Sequence, residues 1–280
     1  MTRAVTLPTA SRARLQDLGE IGDENVDLAA AALDIAGLHR AGTASAPYLR
    51  HLETLGHEVG VYAGKTPDID HAVEALVQVI ARRYGYGGDD EAFDDLDAAN
   101  FATVIDERRG LPIALGILYI HVARAQGWSA GGIDFPGRFL VRVEVDSERR
   151  ILDPFDDGRV LEPKDMRDLL KVGAGLGAEL TPDQYQEIGN REILLRLENN
   201  LKVRHLRAER FEDALGVIET MLLFAPETSS LWREAGMIHA RLDHVREAIS
   251  ALEEFLRLDT SAESRYSATV LLQDLRDRLT

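Results

Sequence analysis

Near its C-terminal end the sequence repeats itself at a fixed offset, and that constrains the fold more than any other feature. "ERFEDALGVIETMLLFAP" (209–226) and "DHVREAISALEEFLRLDT" (243–260) align so that Phe211 matches Val245, Ala214 matches Ala248 and Leu222 matches Leu256. Upstream, Leu206 matches Ala240, and the offset is 248 − 214 = 34 residues. Within each copy the apolar residues recur at helical spacing. A unit of this length is one helical hairpin that cannot bury its apolar face alone, so copies must stack. Two copies, at about 195–228 and 229–262, fall short of the roughly three that such stacks need. They are expected to lean on the preceding domain as one compact body. "ESRYSATVLLQDLRDRLT" (263–280) then serves as the helix that caps the open end.

The rest of the chain must supply that domain, and its composition allows it. The 280 residues are 45% hydrophobic and 29% charged, a globular balance. At about 150 residues per domain, roughly two domains are expected. The formal net charge, 32 − 48 = −16, repels nucleic acid and anionic membrane, so neither is an expected partner. Solubility alone accounts for the acidity. The sequence contains no cysteine, which excludes disulfides, thiolate metal sites and a cysteine nucleophile. "MTRAVTLPTASRARL" lacks the apolar core of a secretory signal and reads as a frayed tail. The most apolar run, Leu111 to Ala125, is broken by His121 and Arg124. It falls short of the ~18 apolar residues a membrane span needs. A soluble, cytoplasmic protein without a cofactor is expected, and no signal for an oligomeric state stands out.

Residues 1–65 read as a helical N-terminal region. "DENVDLAAAALDIAGLHRA" (23–41) is a helix that Asp23, Asn25 or Asp27 can cap. "SAPYLRHLETLGHEVGVYA" (45–63) sets Leu49, Leu52, Leu55 and Val59 on one helical face. "TPDIDHAVEALVQVIARRYGYGG" (66–88) has Thr66 or Asp68 as cap, Pro67 near the first turn and a glycine stop. The acidic stretch "GGDDEAFDDLDAAN" (87–100) reads as a solvated loop. Its Asp89, Asp90, Asp94, Asp95 and Asp97 lack the order of a calcium loop. After a helix opening near Pro112 the period changes. "FLVRVEV" and "RRILDPF" flank the polar turn "DSER" as a β-hairpin. "PKDMRDLLKV" returns to helix, and the glycine-rich "GAGLGAELTPDQYQEIGN" leads to Asn190, a candidate cap. The fold class is α+β, with a central domain over 66–189 and helical repeats over 190–280.

The central domain sets a helix start at Pro112, Arg138 on the first hairpin strand and Asp153 at the end of the second. Papain-like cysteine enzymes share that order of parts. Their nucleophile sits at a helix N-terminus, a strand histidine takes its proton, and an acid on the next strand orients the histidine. Residues 100–161 resemble the transglutaminase-like core of the SirB family, whose members join that core to tetratricopeptide repeats. The matching pieces are "ERRGLPIALGILYIHVAR", "GIDFPGRFLVRVE" and "ILDPFDDGRVL". With the repeats the resemblance spans about residues 70–280, and residues 1–60 carry little signature. Trp232, Gly236 and Ala248, at spacings of 4 and 12, resemble the tryptophan, glycine and alanine positions of a tetratricopeptide repeat. The second copy has Ala235 where leucine is usual, and the first copy lacks the tryptophan and glycine. The resemblance implies a papain/transglutaminase-like core with a small antiparallel sheet, followed by tetratricopeptide-type α-hairpins. Active transglutaminase-like enzymes carry Gly-x-Cys, a histidine and an aspartate. Gly110, Pro112, Arg138 and Asp153 stand at those positions here, and "FPGRF" replaces the "FPGHF" of many SirB relatives.

Two of the three triad positions are therefore chemically empty. Proline offers no nucleophile, although its fixed φ suits a first helical turn. Arginine stays protonated and cannot act as a general base. Asp153 can pair with Arg138 across the hairpin, or both can face solvent separately. Arg108 and Arg109, beside Gly110, can hold an anion near a helix start or pair with Asp106 or Glu107. Ser129 and Thr103 have no nucleophile-elbow pattern and no accompanying histidine. His121, nine residues past Pro112, reads as a packing or surface histidine. His239 and His244 lack a paired ligand at i+3 or i+4, so no metal site is expected. The sequence favours a non-catalytic interaction or regulatory scaffold whose repeats present a surface to a protein or peptide. One alternative is a hydrolase or transferase using Asp153 or Glu107 as acid or base in the ancestral cleft. The other is a small-anion sensor built on Arg108, Arg109 and Arg138.

Overall fold

A computed structural model describes residues 9–40, 42–89, 97–175 and 177–278. The chain divides into two compact units. Of the described residues, one holds 9–11 and 22–197, and the other joins 12–21 to 198–278. Helix α1 (Thr9–Glu20) begins inside the stretch expected to be a frayed tail. The reason is packing: Leu15 is fully buried. Gly19 approaches Leu223 and Pro226 so closely that a β-carbon there would lie 3.0 Å from the Leu223 carbonyl.

In the first unit, α2 (Leu28–His39), α3 (Ser45–Ala63) and α4 (Ile69–Leu76) form a helical layer, and α4 runs on into a π-helical turn over Val77–Arg83. Asp27 caps α2 by accepting from the Ala30 N–H, and Asp68 caps α4 through the His71 N–H. Two-residue strands β1 (Gly87–Gly88) and β2 (Arg109–Gly110) pair in parallel around α5 (Phe101–Glu107). Helix α6 (Pro112–Ala125) then crosses the middle of the unit. It packs on α2, α3 and α4 and on the next two strands, β3 (Ser129–Phe135) and β4 (Arg138–Val145). Strand β5 (Glu148–Asp153), β6 (Arg159–Val160), α7 (Pro163–Ala174) and β7 (Glu187–Ile188) complete the unit up to the start of α8 (Asn190–Arg207).

The sheet is antiparallel, in the order β6-β5-β4-β3-β7. Its hairpin turn is tighter than "DSER" suggests. Val145 pairs with Glu148, leaving Asp146 and Ser147 as a two-residue loop, both at positive φ (48° and 69°). That mirror-image turn matches the right-handed strand twist. Strand β3 contains two glycines, which disfavour a strand, yet they admit a close contact. A β-carbon on Gly132 would meet the Phe139 ring at 2.3 Å, and one on Gly116 of α6 would meet the same ring at 2.3 Å. One phenylalanine thus locks helix to sheet.

Asp23, a candidate cap for α2, serves another helix. Its carboxylate accepts the N–H groups of Asn190 and Arg191, both at 2.7 Å, at the start of α8. The side chain of Asn190, expected to cap this same helix, instead donates to the Asp23 carbonyl and accepts from Arg124. A carboxylate on the first N–H groups of a helix complements its dipole. No sequence pattern marks a cap that lies 167 residues away.

The second unit continues α8 into α9 (Phe211–Phe224), α10 (Ser229–Arg241), α11 (Val245–Leu258) and the capping helix α12 (Ala262–Asp277). The repeat is visible in the backbone. Glu209 and Asp243, 243 − 209 = 34 residues apart, both take positive φ in the hairpin turns. The flanking bonds Arg210 N–H to His205 O and His244 N–H to His239 O are each 2.9 Å. Gly236 lets Leu252 approach to 2.7 Å from its missing β-carbon. The Trp232 indole donates to the Pro226 carbonyl at 2.7 Å. At the matching first-copy positions, 232 − 34 and 236 − 34, stand Glu198 and Lys202, both buried. Lys202 is neutralised by Glu234 at 2.6 Å.

Gly116→Ala is expected to destabilise by about 1–3 kcal/mol through overpacking against Phe139. Gly216→Ala, on α9 with nothing within 4 Å of its missing β-carbon, should stabilise by roughly 0.5–1 kcal/mol. Urea denaturation of both variants checks the pair, and equal effects would contradict the contact. Asp23→Ala should cost about 1–2 kcal/mol in the same assay through loss of the α8 cap.

Candidate functional site

The helix start at α6 explains its own sequence. Leu111 is extended (φ −70°, ψ 154°) and Pro112 takes the first helical position, where a missing N–H costs nothing. Gly110 is required by Val104, whose methyl would lie 2.5 Å from a β-carbon there. The Pro112 ring is buried. The first position of α6 is thus an apolar ring in the interior.

Arg138 opens β4 and Asp153 closes β5, so the hairpin brings them together. The Arg138 Nε lies 3.7 Å from the Asp153 carboxylate, and its guanidinium stacks 5.1 Å over the Phe155 ring. The Asp153 side chain is only 3% exposed and accepts the Phe155 N–H at 3.0 Å. Burial raises its pKa above the usual aspartate value. The Arg138 charge and the N–H groups of Phe155 and Asp156 oppose that rise, and the Asp156 charge adds to it. Both side chains are thus engaged with each other and with the Phe155 turn.

Two neighbours carry no signal of their own in the sequence. The Phe155 ring and carbonyl crowd Gly88, where a β-carbon would meet them at 2.5 Å, and the Gly88 N–H donates to the Phe155 carbonyl at 3.2 Å. Tyr119, two turns beyond Pro112 on α6, is fully buried, and its hydroxyl has no hydrogen-bond partner among the described residues. Burial, then Asp157 and Asp153, push its pKa up. That hydroxyl sits against the Gly158 turn, where a β-carbon would come within 2.6 Å of it.

The arginines beside Gly110 part company. Arg108 ends α5 in the left-handed conformation (φ 59°). Its guanidinium donates to the Tyr84 carbonyl at 2.7 Å and lies over the Tyr84 ring. Asp106 takes Arg40 and the Tyr48 hydroxyl, each at 3.0 Å, rather than either neighbouring arginine. Arg109 is exposed, and its guanidinium and the Asp157 carboxylate both press on Gly87, each 2.6 Å from where a β-carbon would sit. Arg108 lines a cavity that neither Arg138 nor Asp153 lines.

The other residues considered from sequence lie apart. Thr103 is buried in α5 and Ser129 is exposed on β3. His121 is half-buried, and burial lowers its pKa. His239 and His244 bring their Nδ1 atoms to 3.4 Å. Among the described residues no group of three or more His, Cys, Asp or Glu side chains is arranged to hold a metal, and no helix is long and apolar enough to cross a membrane. Asp90, Asp94, Asp95 and the side chain of Asp97 lie outside the described residues.

Comparison with known proteins agrees with this architecture. The family model for the transglutaminase-like superfamily matches residues 46–199, and one for the tetratricopeptide repeat matches residues 201–273. A UPF0162 protein of Xylella fastidiosa (strain Temecula1) is 26% identical over 260 residues, covering 89% of each chain. A UPF0162 protein of Pseudomonas aeruginosa is 31% identical, covering 68% of this chain and 70% of the relative. Protein SirB1 of Salmonella typhimurium is 26% identical, covering 67% and 70%.

The raised Asp153 pKa has a definite sign. Its protonated form is favoured in the fold, so the associated stabilisation is full below the ordinary aspartate pKa of about 3.9 and is lost as pH rises through the folded value. Asp153→Asn keeps an acceptor for the Phe155 N–H and removes the charge. It should match or exceed wild-type stability at pH 7, with any advantage gone in acid. Arg138→Ala should cost more in the wild-type than in the D153N background, by on the order of 1 kcal/mol. Equal costs in a denaturation double-mutant cycle would show that the two groups do not couple.

Proposed function

This chain belongs to the transglutaminase-like superfamily, as a SirB-family protein with tetratricopeptide repeats, and from that premise we propose that it is a non-catalytic scaffold. The observation that carries the reading is the buried Pro112 ring at the first position of α6. Acyl transfer by this architecture needs a nucleophile there, and the chain has neither a cysteine at that position nor one anywhere else. Arg138, in place of a base, spends its charge on Asp153 and Phe155. The degenerate core acts as a platform and the repeats bind a protein or peptide, as tetratricopeptide repeats generally do. On the repeat unit the exposed Met237, Tyr266 and Val270 offer apolar contacts for such a partner. In this reading the protein works in the bacterial cytoplasm, in keeping with its bacterial relatives.

The raised pKa of Asp153 favours a second reading, a hydrolase or transferase that uses this carboxyl as an acid. Its burial argues against that, because a catalytic acid must touch its substrate.

Purified protein offered activated esters and γ-glutamyl amides should give rates equal to those of the Asp153→Ala variant. A wild-type rate that disappears in D153A would establish the second reading instead. Tyr266→Asp and Met237→Asp should leave the melting curve unchanged and remove whichever protein co-purifies with the wild type. Undiminished co-purification would mean that the partner binds elsewhere.

A further inference from the structure

The first unit contains a cavity of about 600 Å³ that Pro112, Arg138 and Asp153 do not line. That volume suits a small molecule. Arg40, Tyr48, His51, Asp106 and Arg108 line it, together with the first turn of α3. Its charge runs against that of the protein. In a chain of net charge −16, two guanidinium groups border one cavity against a single carboxylate. Asp106 is paired with Arg40 and also takes the Tyr48 hydroxyl. Arg108 has no carboxylate partner among the described residues, and its one side-chain hydrogen bond there is to the neutral Tyr84 carbonyl.

One further feature fits an anionic guest. Helix α3, 19 residues long, opens at this wall on Ala44, which supplies no side-chain cap. The positive end of the helix dipole thus lies at this wall without a side-chain cap from Ala44. The Tyr86 hydroxyl lies 2.8 Å from His51 Nε2 and 3.4 Å from the Ile105 carbonyl. Burial and Arg108 both lower the His51 pKa, which leaves the arginines as the cationic groups of the wall.

We propose that this cavity binds a small molecule through an oxyanion group, carboxylate or phosphate, seated between Arg108 and the first turn of α3 with Arg40 beside it. The site is separate from the ancestral cleft, and its occupancy does not depend on the scaffold reading.

The full chain is titrated with inorganic phosphate and with succinate at constant ionic strength, with chloride as the reference, followed by amide chemical shifts. At least one anion should bind saturably and shift amides at the start of α3. Arg40→Gln and Arg108→Gln should each weaken that binding about tenfold or more, as loss of a charge-assisted contact predicts. Arg149→Gln, at the exposed hairpin tip, should leave it unchanged. Arg40 is half-exposed, so R40Q tests the site even if R108Q disturbs the turn after α5. Preference for phosphate or for succinate identifies the class of ligand. Absence of saturable binding by either anion, or binding that survives both R40Q and R108Q, overturns the proposal.

Discussion

Helix α6 is buried on every side from Leu111 to Ile120, and the first unit is arranged around that burial. A helix apolar all round cannot lie on a surface, so it needs cover in every direction. Helices α2, α3 and α4 supply part of it, and strands β3 and β4 the rest. The contact that sets the distance between helix and sheet is the Phe139 ring, which occupies the space left by Gly116 and Gly132. A glycine in the middle of a helix costs about 1 kcal/mol relative to alanine. Here that cost is offset by burying an aromatic side chain, and the register of β4 follows from it. Register in turn decides where Arg138 lies, because Phe139 is the next residue along the strand.

The setting of Arg138 and Asp153 follows from the same constraint. The first turn of α6 carries a proline whose ring is buried, and the hairpin sets the Arg138 guanidinium over the Phe155 ring and beside Asp153. Asp153 remains, and its environment explains what it does. Burial penalises its charge, while Arg138 and two backbone N–H groups partly restore it. The result is a tie between the ends of two strands and the Phe155 turn.

Much of this was legible in the sequence, and the limits have physical causes. The 34-residue offset gave the helical hairpins because their repeated turn geometry, positive φ at Glu209 and Asp243, fixes the period. The hairpin was legible from alternation, and the pairing of Arg138 with Asp153 from their spacing across it. Strand β3 was hidden by its glycines, whose role appears only when Phe139 is placed. The cap of α8 by Asp23 was hidden because it joins residues far apart in sequence. Arg108 and Arg109 looked like one feature, but the left-handed turn at Arg108 sends their guanidiniums to different neighbours, Tyr84 for one and Gly87 for the other.

The most direct measurement of the central claim uses the absence of cysteine. Pro112→Cys places the chain's one thiol at the first position of α6, and its rate of reaction with a small disulfide reagent reports whether a cleft stands open there. If the site is sealed, the thiol reacts slowly under native conditions, and its rate rises with denaturant in step with unfolding. Rapid native-state modification, with a thiol pKa well below the usual value of about 8.5, would mean that the cleft is open and the helix start still activates what sits on it.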